Sequence, residues 1–304
     1  MDYEFDIAML ALHKIRGFGE KKMFALAPTV LTIQDEGGIT SSALNELANQ
    51  GMISPLCEIS DIENWIDEVK GEVKAWEGDG VYVTTAFSQD YPRLLKEIKN
   101  HPFFLYYKGD IAPLNNKNIA IVGTREPSDK GLREAKAIAQ KLAKKGVGVV
   151  SGLALGCDTA GHEGVLDEDG YTCAVLAHGL DTVNPARNRE LATRILDNGG
   201  SLVSEHKPGV PPTRRYYLLR NRIQSALSTH VIVIETTTTG GTMHTARFAR
   251  DHGRSLVVLD LHSGINQPEF QAAMKEICSE LNGIAMKNTR TTVNFIVDEK
   301  SEEE

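Results

Sequence analysis

The stretch NIAIVGTREPSDKGLREAKAIAQKLAKKGVGVVSG (118–152) decides the fold. After Asn118, IAIV is an unbroken apolar run of the length of a strand buried on both faces. LREAKAIAQKLAKKG places its apolar residues on one helical face and stops at Gly146. VGVVSG is apolar and β-branched again. Strand, amphipathic helix, strand is a βαβ unit, which demands parallel strands joined by a crossover helix.

The alternation continues toward the C-terminus. A helix around DTAGHEGVL precedes the strand YTCAVLAHG; the helix NRELATRILDNGG precedes the strand SLVSEH. RYYLLRNRIQSAL then leads to THVIVIET, the most apolar strand, and MHTARFARDHG leads to SLVVLDL. About six strands imply an α/β fold, a doubly wound and mostly parallel Rossmann-like sheet over 81–290. Upstream, residues 1–80 read as a small helical domain. IAMLALHKI breaks at Gly17-Phe18-Gly19, KKMFALA resumes, and DIENWIDEVKGEVKAWEGDG carries Trp65, Ile66, Val69, Val73 and Trp76 as an amphipathic stripe. Both tryptophans are expected in that domain's core. Downstream, PEFQAAMKEICSELNGIAM reads as a helix, and TTVNFIV as a short strand opening an acidic tail, 291–304.

Composition sets the outer limits. Of 304 residues 41% are hydrophobic, and 33 Lys+Arg face 41 Asp+Glu, a net charge of −8, which is ordinary globular chemistry. No apolar run approaches the roughly 18 residues of a membrane span, and the acidic start MDYEFDIAML is unlike a secretory signal. Cys57, Cys157, Cys173 and Cys278 form no CxxC pair, against a zinc site or a disulfide framework. A cytoplasmic protein without metal or cofactor is expected. The acidic total does not exclude nucleic acid. The last seven residues alone carry −4, and Thr213 to Arg222 holds four arginines and no acid. Local donors, not net charge, bind phosphate.

In an open parallel sheet, ligands bind beyond the carboxyl ends of the strands. Those edges carry Gly123-Thr124-Arg125, Ser151-Gly152 through Gly156, Arg220-Asn221-Arg222, and Gly241-Thr242. Glycine and hydroxyl residues entering a helix suit phosphate, because the backbone can approach closely and free N–H groups face the anion. Each such loop also has a bland reading as a plain chain turn; several on one edge, beside arginines, favour a phosphate-bearing ligand. The P-loop and dinucleotide fingerprints are absent. Asp158 and His162, four apart, could form a carboxylate–imidazole pair, although a helix cap beside a satisfied core histidine is the reading preferred here. Glu235 could serve as general acid/base, bind a ribose hydroxyl, or hold an arginine. No activated nucleophile accompanies them, so no enzymatic activity is expected. The hairpin around Lys14, Arg16, Gly17, Gly19, Lys21 and Lys22 is a second basic feature, either a solvated rim or a second DNA contact.

Several segments together are specific. Asp90-Tyr91-Pro92-Arg93-Leu94-Leu95, Leu105-Tyr106-Tyr107-Lys108-Gly109-Asp110, Ile121-Val122-Gly123-Thr124-Arg125, Ser151-Gly152-Leu153-Ala154-Leu155-Gly156-Cys157-Asp158-Thr159-Ala160 with His162, Gly179-Leu180-Asp181, Arg220-Asn221-Arg222-Ile223 and Thr245-Ala246 occur in the order of the DprA/Smf family. The resemblance covers about 85–260. The helical domain is similar to the SAM-like or helix-hairpin-helix-like domain of that family. The resemblance implies a protein of the SLOG superfamily that binds and protects single-stranded DNA and loads a RecA-type recombinase, as in natural transformation. It also implies a homodimer, and a DNA-phosphate pocket at Gly123, Thr124, Arg125, Ser151, Gly152, Gly156, Arg220, Asn221, Arg222, Gly241 and Thr242. Departures mark a divergent member. Cys157 and Gly161 replace Ile and Ala, Gly240-Gly241-Thr242 replaces Ser-Gly-Ser, Asp260 to Gly264 replaces a Pro-Gly, and no segment resembles the C-terminal winged helix. Two alternatives accompany it: a SLOG-type nucleotide sensor in a defence system, and a nucleotide N-glycosidic hydrolase.

Overall fold

The computed structural model describes residues 3–35, 40–53, 59–261 and 267–298. Two compact units divide the chain: Met1–Tyr91 with Pro102–Tyr106, and Pro92–His101 with Tyr107–Glu304.

The first unit holds α1 (Tyr3–His13), α2 (Glu20–Asp35), α3 (Ser41–Asn49), α4 (Ile59–Gly78) and β1 (Tyr82–Thr85). Its core is built on Phe5, Met9, Leu12, Met23, Leu44, Ile62, Val69 and Val73. The turn between α1 and α2 runs through Gly17, whose φ of +80° is the left-handed conformation that favours glycine. Trp65 and Trp76 are only half-buried, which corrects their expected place in the core. The valines between them do that packing, and Trp76 sets its ring edge-on to Tyr106. Phe103 donates its N–H to Glu20, and Tyr91 donates its hydroxyl to the Pro102 carbonyl at 2.6 Å.

The second unit begins with the short helix α5 (Arg93–Lys96) and receives the last three residues of β2 (Phe104–Gly109). There follow β3 (Asn118–Val122), α6 (Asp129–Ala143), β4 (Gly148–Ser151), α7 (Cys157–Leu166), β5 (Thr172–Val175), α8 (Arg189–Asp197), β6 (Ser201–Ser204), α9 (Arg214–Ala226), β7 (His230–Val233), α10 (Thr242–Asp251), β8 (Ser255–Leu259), α11 (Pro268–Glu280), β9 (Ile284–Met286) and α12 (Thr289–Asp298). Strands β6-β5-β4-β3-β7-β8-β9 lie side by side, each pair parallel. Alternate residues of β3 face opposite layers: Ile119 and Ile121 pack with α6, α7 and α12, while Ala120 and Val122 pack with α10 and α11. The sheet is therefore covered on both faces, the doubly wound α/β arrangement expected from the sequence. The strand order reverses between β3 and β7, which opens a crevice at their carboxyl ends.

Two elements differ from the sequence reading. Ile284–Met286, read as the end of a helix, is the edge strand β9, because Gly283 ends the helix and its N–H turns back to Ile277. TTVNFIV, read as a strand opening a tail, is helical in α12. Glu134 accepts the Thr289 N–H at 3.1 Å and its hydroxyl as well, and Val293 and Ile296 enter the core. Residues 299–304 of the acidic tail, like Cys57 and residues 262–264, lie outside the described residues. Among the described residues no helix is long and apolar enough to cross a membrane.

Candidate nucleic-acid interface

A cleft of about 640 Å³ opens at the crevice between β3 and β7. Gly123, Thr124 and Arg125 line it from the end of β3, Asp158 from α7, Arg214, Tyr217, Arg220, Asn221 and Gln224 from α9, and Thr236, Gly241, Thr242 and Thr245 from the turn after β7 into α10. Two capped helices frame it. Ser128 starts α6 by accepting the Gly131 N–H, and Thr213 starts α9 by accepting the Tyr216 N–H at 3.2 Å.

Arg220 forms the floor. Its residue is 5% exposed, and its Nη1 donates to the carbonyls of Gly152 (2.8 Å) and Val175. Arg125 lies at the exposed rim. The ring of Tyr217 lies near both, with Arg125 Cζ 5.6 Å and Arg220 Cζ 6.0 Å from its centroid. Both separations suit cation–π attraction. Tyr217 went unrecognised in the sequence; its spacing of three from Arg220 on an arginine-rich helix was the available signal. Asp158 accepts the amides of Gly152 (3.1 Å) and Ala154 (3.3 Å). Burial pushes its carboxyl up, against the pull of Arg220 and these amides.

This geometry sorts the sequence-expected residues. Gly123, Thr124, Arg125, Asp158, Arg220, Asn221, Gly241 and Thr242 meet in the cleft. Ser151, Gly152 and Gly156 support it from beneath. Ser151 donates to the Ile121 carbonyl at 2.6 Å. Gly156 takes φ +81°, and a Cβ there would stand 2.6 Å from the carbonyls of Thr124 and Arg125. Arg222 is not among the lining residues. It grips Glu205 with both terminal nitrogens (2.9 and 2.7 Å) and donates Nε to the Asn100 carbonyl.

Asp158 and His162 do not pair. His162 is fully buried and bonds Thr172 through Nδ1 at 2.7 Å, while Thr172 donates onward to Val149. Burial, with Arg220 adding to it, pushes its imidazole down to about 3, so it is neutral. Both oxygens of Glu235 accept from Ser128, one from its N–H and one from its hydroxyl. The carboxylate thus anchors α6. Burial holds the Cys157 thiol far above its ordinary range. Among the described residues no cluster of three or more metal-ligating side chains occurs.

A model of one protein family, described as DNA recombination-mediator protein A, matches residues 82–294. The chain belongs to that family. Within the DNA recombination-mediator protein A family it is 38% identical to Protein Smf of Escherichia coli over 178 residues, 59% of this chain and 48% of that one. It is 33% identical to DNA processing protein DprA of Bacillus subtilis over 198 residues, 65% of this chain and 66% of that one. The chain spans about half the length of several curated relatives it matches. Among solved structures, DprA of Streptococcus pneumoniae shares the fold over the whole chain and 99% of its own, with a TM-score of 0.75 at 23% identity. DprA of Helicobacter pylori, whose structure concerns its single-stranded DNA binding mode, matches 71% of this chain and 96% of its own, at 28% identity and a TM-score of 0.63.

The basic hairpin of this family member belongs to its first unit. Gly17 and Gly19 form the turn there, and Arg16, Lys21 and Lys22 are exposed. Lys14 differs from them. Its ammonium pairs with Glu68 at 2.9 Å and Glu72 at 3.0 Å on α4.

Proposed function

We propose that the cleft binds single-stranded DNA, and that the chain acts in the cytoplasm as a homodimer that protects the strand and hands it to a RecA-type recombinase. The observation that carries this reading is the Arg125–Tyr217–Arg220 arrangement at the sheet's switch point. Guanidinium groups take phosphate oxygens, and an aromatic ring at the rim gives an unpaired base a stacking face. Arg214 adds a further donor. The Helicobacter pylori relative's single-stranded DNA binding mode and the recombination-mediator family support the same ligand and the recombinase partner.

The test is a fluorescence-anisotropy titration of a labelled single strand, the corresponding duplex, and an unlabelled nucleoside monophosphate as competitor. Single-strand binding that weakens linearly with log salt and exceeds duplex binding is expected. Displacement by the monophosphate at lower concentration than by the strand would favour a nucleotide sensor. Absence of single-strand binding at low salt would remove the reading.

A further inference from the structure

Leu153 holds a backbone conformation that its side chain disfavours. Among the described residues three non-glycine residues take a positive φ: Leu153 (+59°), Asp169 (+52°) and Asn282 (+57°). Asp and Asn tolerate the left-handed region, whereas a leucine there is strained and persists only where its surroundings hold it. Leu153 stands just beyond the end of β4 and is fully buried, and the next residue, Ala154, lines the cleft. The peptide that joins the two is held at both ends. Asp158 accepts its N–H, that of Ala154, at 3.3 Å, and Asn188 donates Nδ2 to its oxygen, the Leu153 carbonyl, at 2.8 Å.

Asn188 is buried and is not among the residues that line the cleft. It occupies the N-cap position of α8, where an asparagine ordinarily turns its side-chain oxygen to the first free N–H groups of the helix. Here the side chain makes no capping hydrogen bond. Nδ2 reaches back instead across 35 residues to Leu153, and across 29 to the Thr159 hydroxyl at 2.9 Å. That hydroxyl in turn donates to the Ala154 carbonyl at 2.8 Å. The same loop carries the arginine of the cleft floor. The Asp158 oxygen that accepts from Ala154 also accepts from Gly152, and the Gly152 carbonyl receives Arg220 Nη1. We propose that Asn188 is a positioning residue for the cleft, holding the Leu153–Ala154 peptide in its left-handed turn and thereby keeping Asp158 and Arg220 in place for the ligand. This rests on the single-strand reading above and names a residue outside the cleft on which that binding depends.

The experiment titrates a labelled single strand with the full native chain, Asn188→Ala and Asn188→Ala/Leu153→Gly, with thermal unfolding and amide hydrogen exchange on the same preparations. Asn188→Ala should weaken binding about tenfold, as the loss of a buried hydrogen bond allows. Its Ala154 amide should exchange faster, while the amides within α8, which Asn188 does not cap, keep their protection. Glycine adopts the left-handed conformation freely, so at position 153 it restores the turn that Asn188 no longer enforces. It also removes a buried side chain, which lowers stability. The double variant should therefore recover most of the affinity at a lower unfolding midpoint. A residue that merely stabilised the fold would make affinity and midpoint fall together. Should the double variant not fold, Asn188→Asp decides in its place: it keeps the shape without the donor, and must lose affinity and Ala154 protection as Asn188→Ala does. Native affinity or unchanged Ala154 exchange in either single variant, or a folded double variant that recovers nothing, overturns the inference while leaving the single-strand reading intact. Failure of the native chain to bind any strand overturns both.

Discussion

Gly152 lies directly against the guanidinium of Arg220: a Cβ at position 152 would stand 2.6 Å from Arg220 Cζ and closer still to Nη1. The Gly152 carbonyl accepts from that same Nη1 at 2.8 Å. Gly152→Ala therefore forces the buried arginine off its two carbonyls. We expect a stability loss of about 1–3 kcal/mol, typical of overpacking, with single-strand binding weakened more than tenfold. Urea unfolding and anisotropy on the same preparation check both. Native-like binding by Gly152→Ala would show that the Arg220 position does not shape the cleft.

Arg222→Ala should act on stability and not on the ligand. Removing it leaves Glu205, largely buried, without its bidentate partner, a defect that costs about 3–5 kcal/mol. The fraction that remains folded should bind DNA with native affinity. A selective binding defect at unchanged unfolding midpoint would return Arg222 to the cleft.

That contrast shows what sequence can and cannot disclose. Arg220 and Arg222 sit two apart in one motif, and nothing local separates them. One faces the cleft and the other faces Glu205 and Asn100, partners 17 and 122 residues away in sequence. Strand β3 was legible because Ile119 to Val122 are apolar at every position, which only a strand covered on both faces needs. TTVNFIV misled for a related reason. Its β-branched residues favour a strand locally, but Glu134 caps the segment from α6 and the core takes Val293 and Ile296, so tertiary contacts override propensity.

Acid should unfold the protein partly through His162. Its imidazole ordinarily titrates near 6.5 and is held down to about 3. Below pH 6.5 the unfolded chain takes up a proton that the native state refuses. Stability accordingly falls as pH drops from 6.5 toward 3, with a limiting slope of about 1.4 kcal/mol per unit. His252, pushed down to about 4 chiefly by burial, adds the same sign over the upper part of that window. Asp158, raised by burial, works oppositely and is common to both proteins compared. His162→Gln should flatten the variant's own profile between pH 6.5 and 4, so that the native-minus-variant difference falls as pH drops; parallel profiles would contradict the assignment.

The two basic features of the chain should separate by salt dependence. Each phosphate contact on a single strand contributes about 0.7 to the slope of log K against log salt. Arg125 is exposed at the cleft rim and Arg214 lines the same cleft. Arg125→Ala/Arg214→Ala should therefore lower the slope by about 1.4 and weaken binding at moderate salt by one to two orders of magnitude. Lys14 already pairs with Glu68 and Glu72, and these partners raise its pKa against the lowering effect of burial. Lys14→Met should consequently leave the slope unchanged, whereas Lys21→Met/Lys22→Met tests the exposed part of the hairpin. If the slope follows the hairpin lysines and ignores Arg125 and Arg214, the strand is held by the helical unit, and the cleft must take some other ligand.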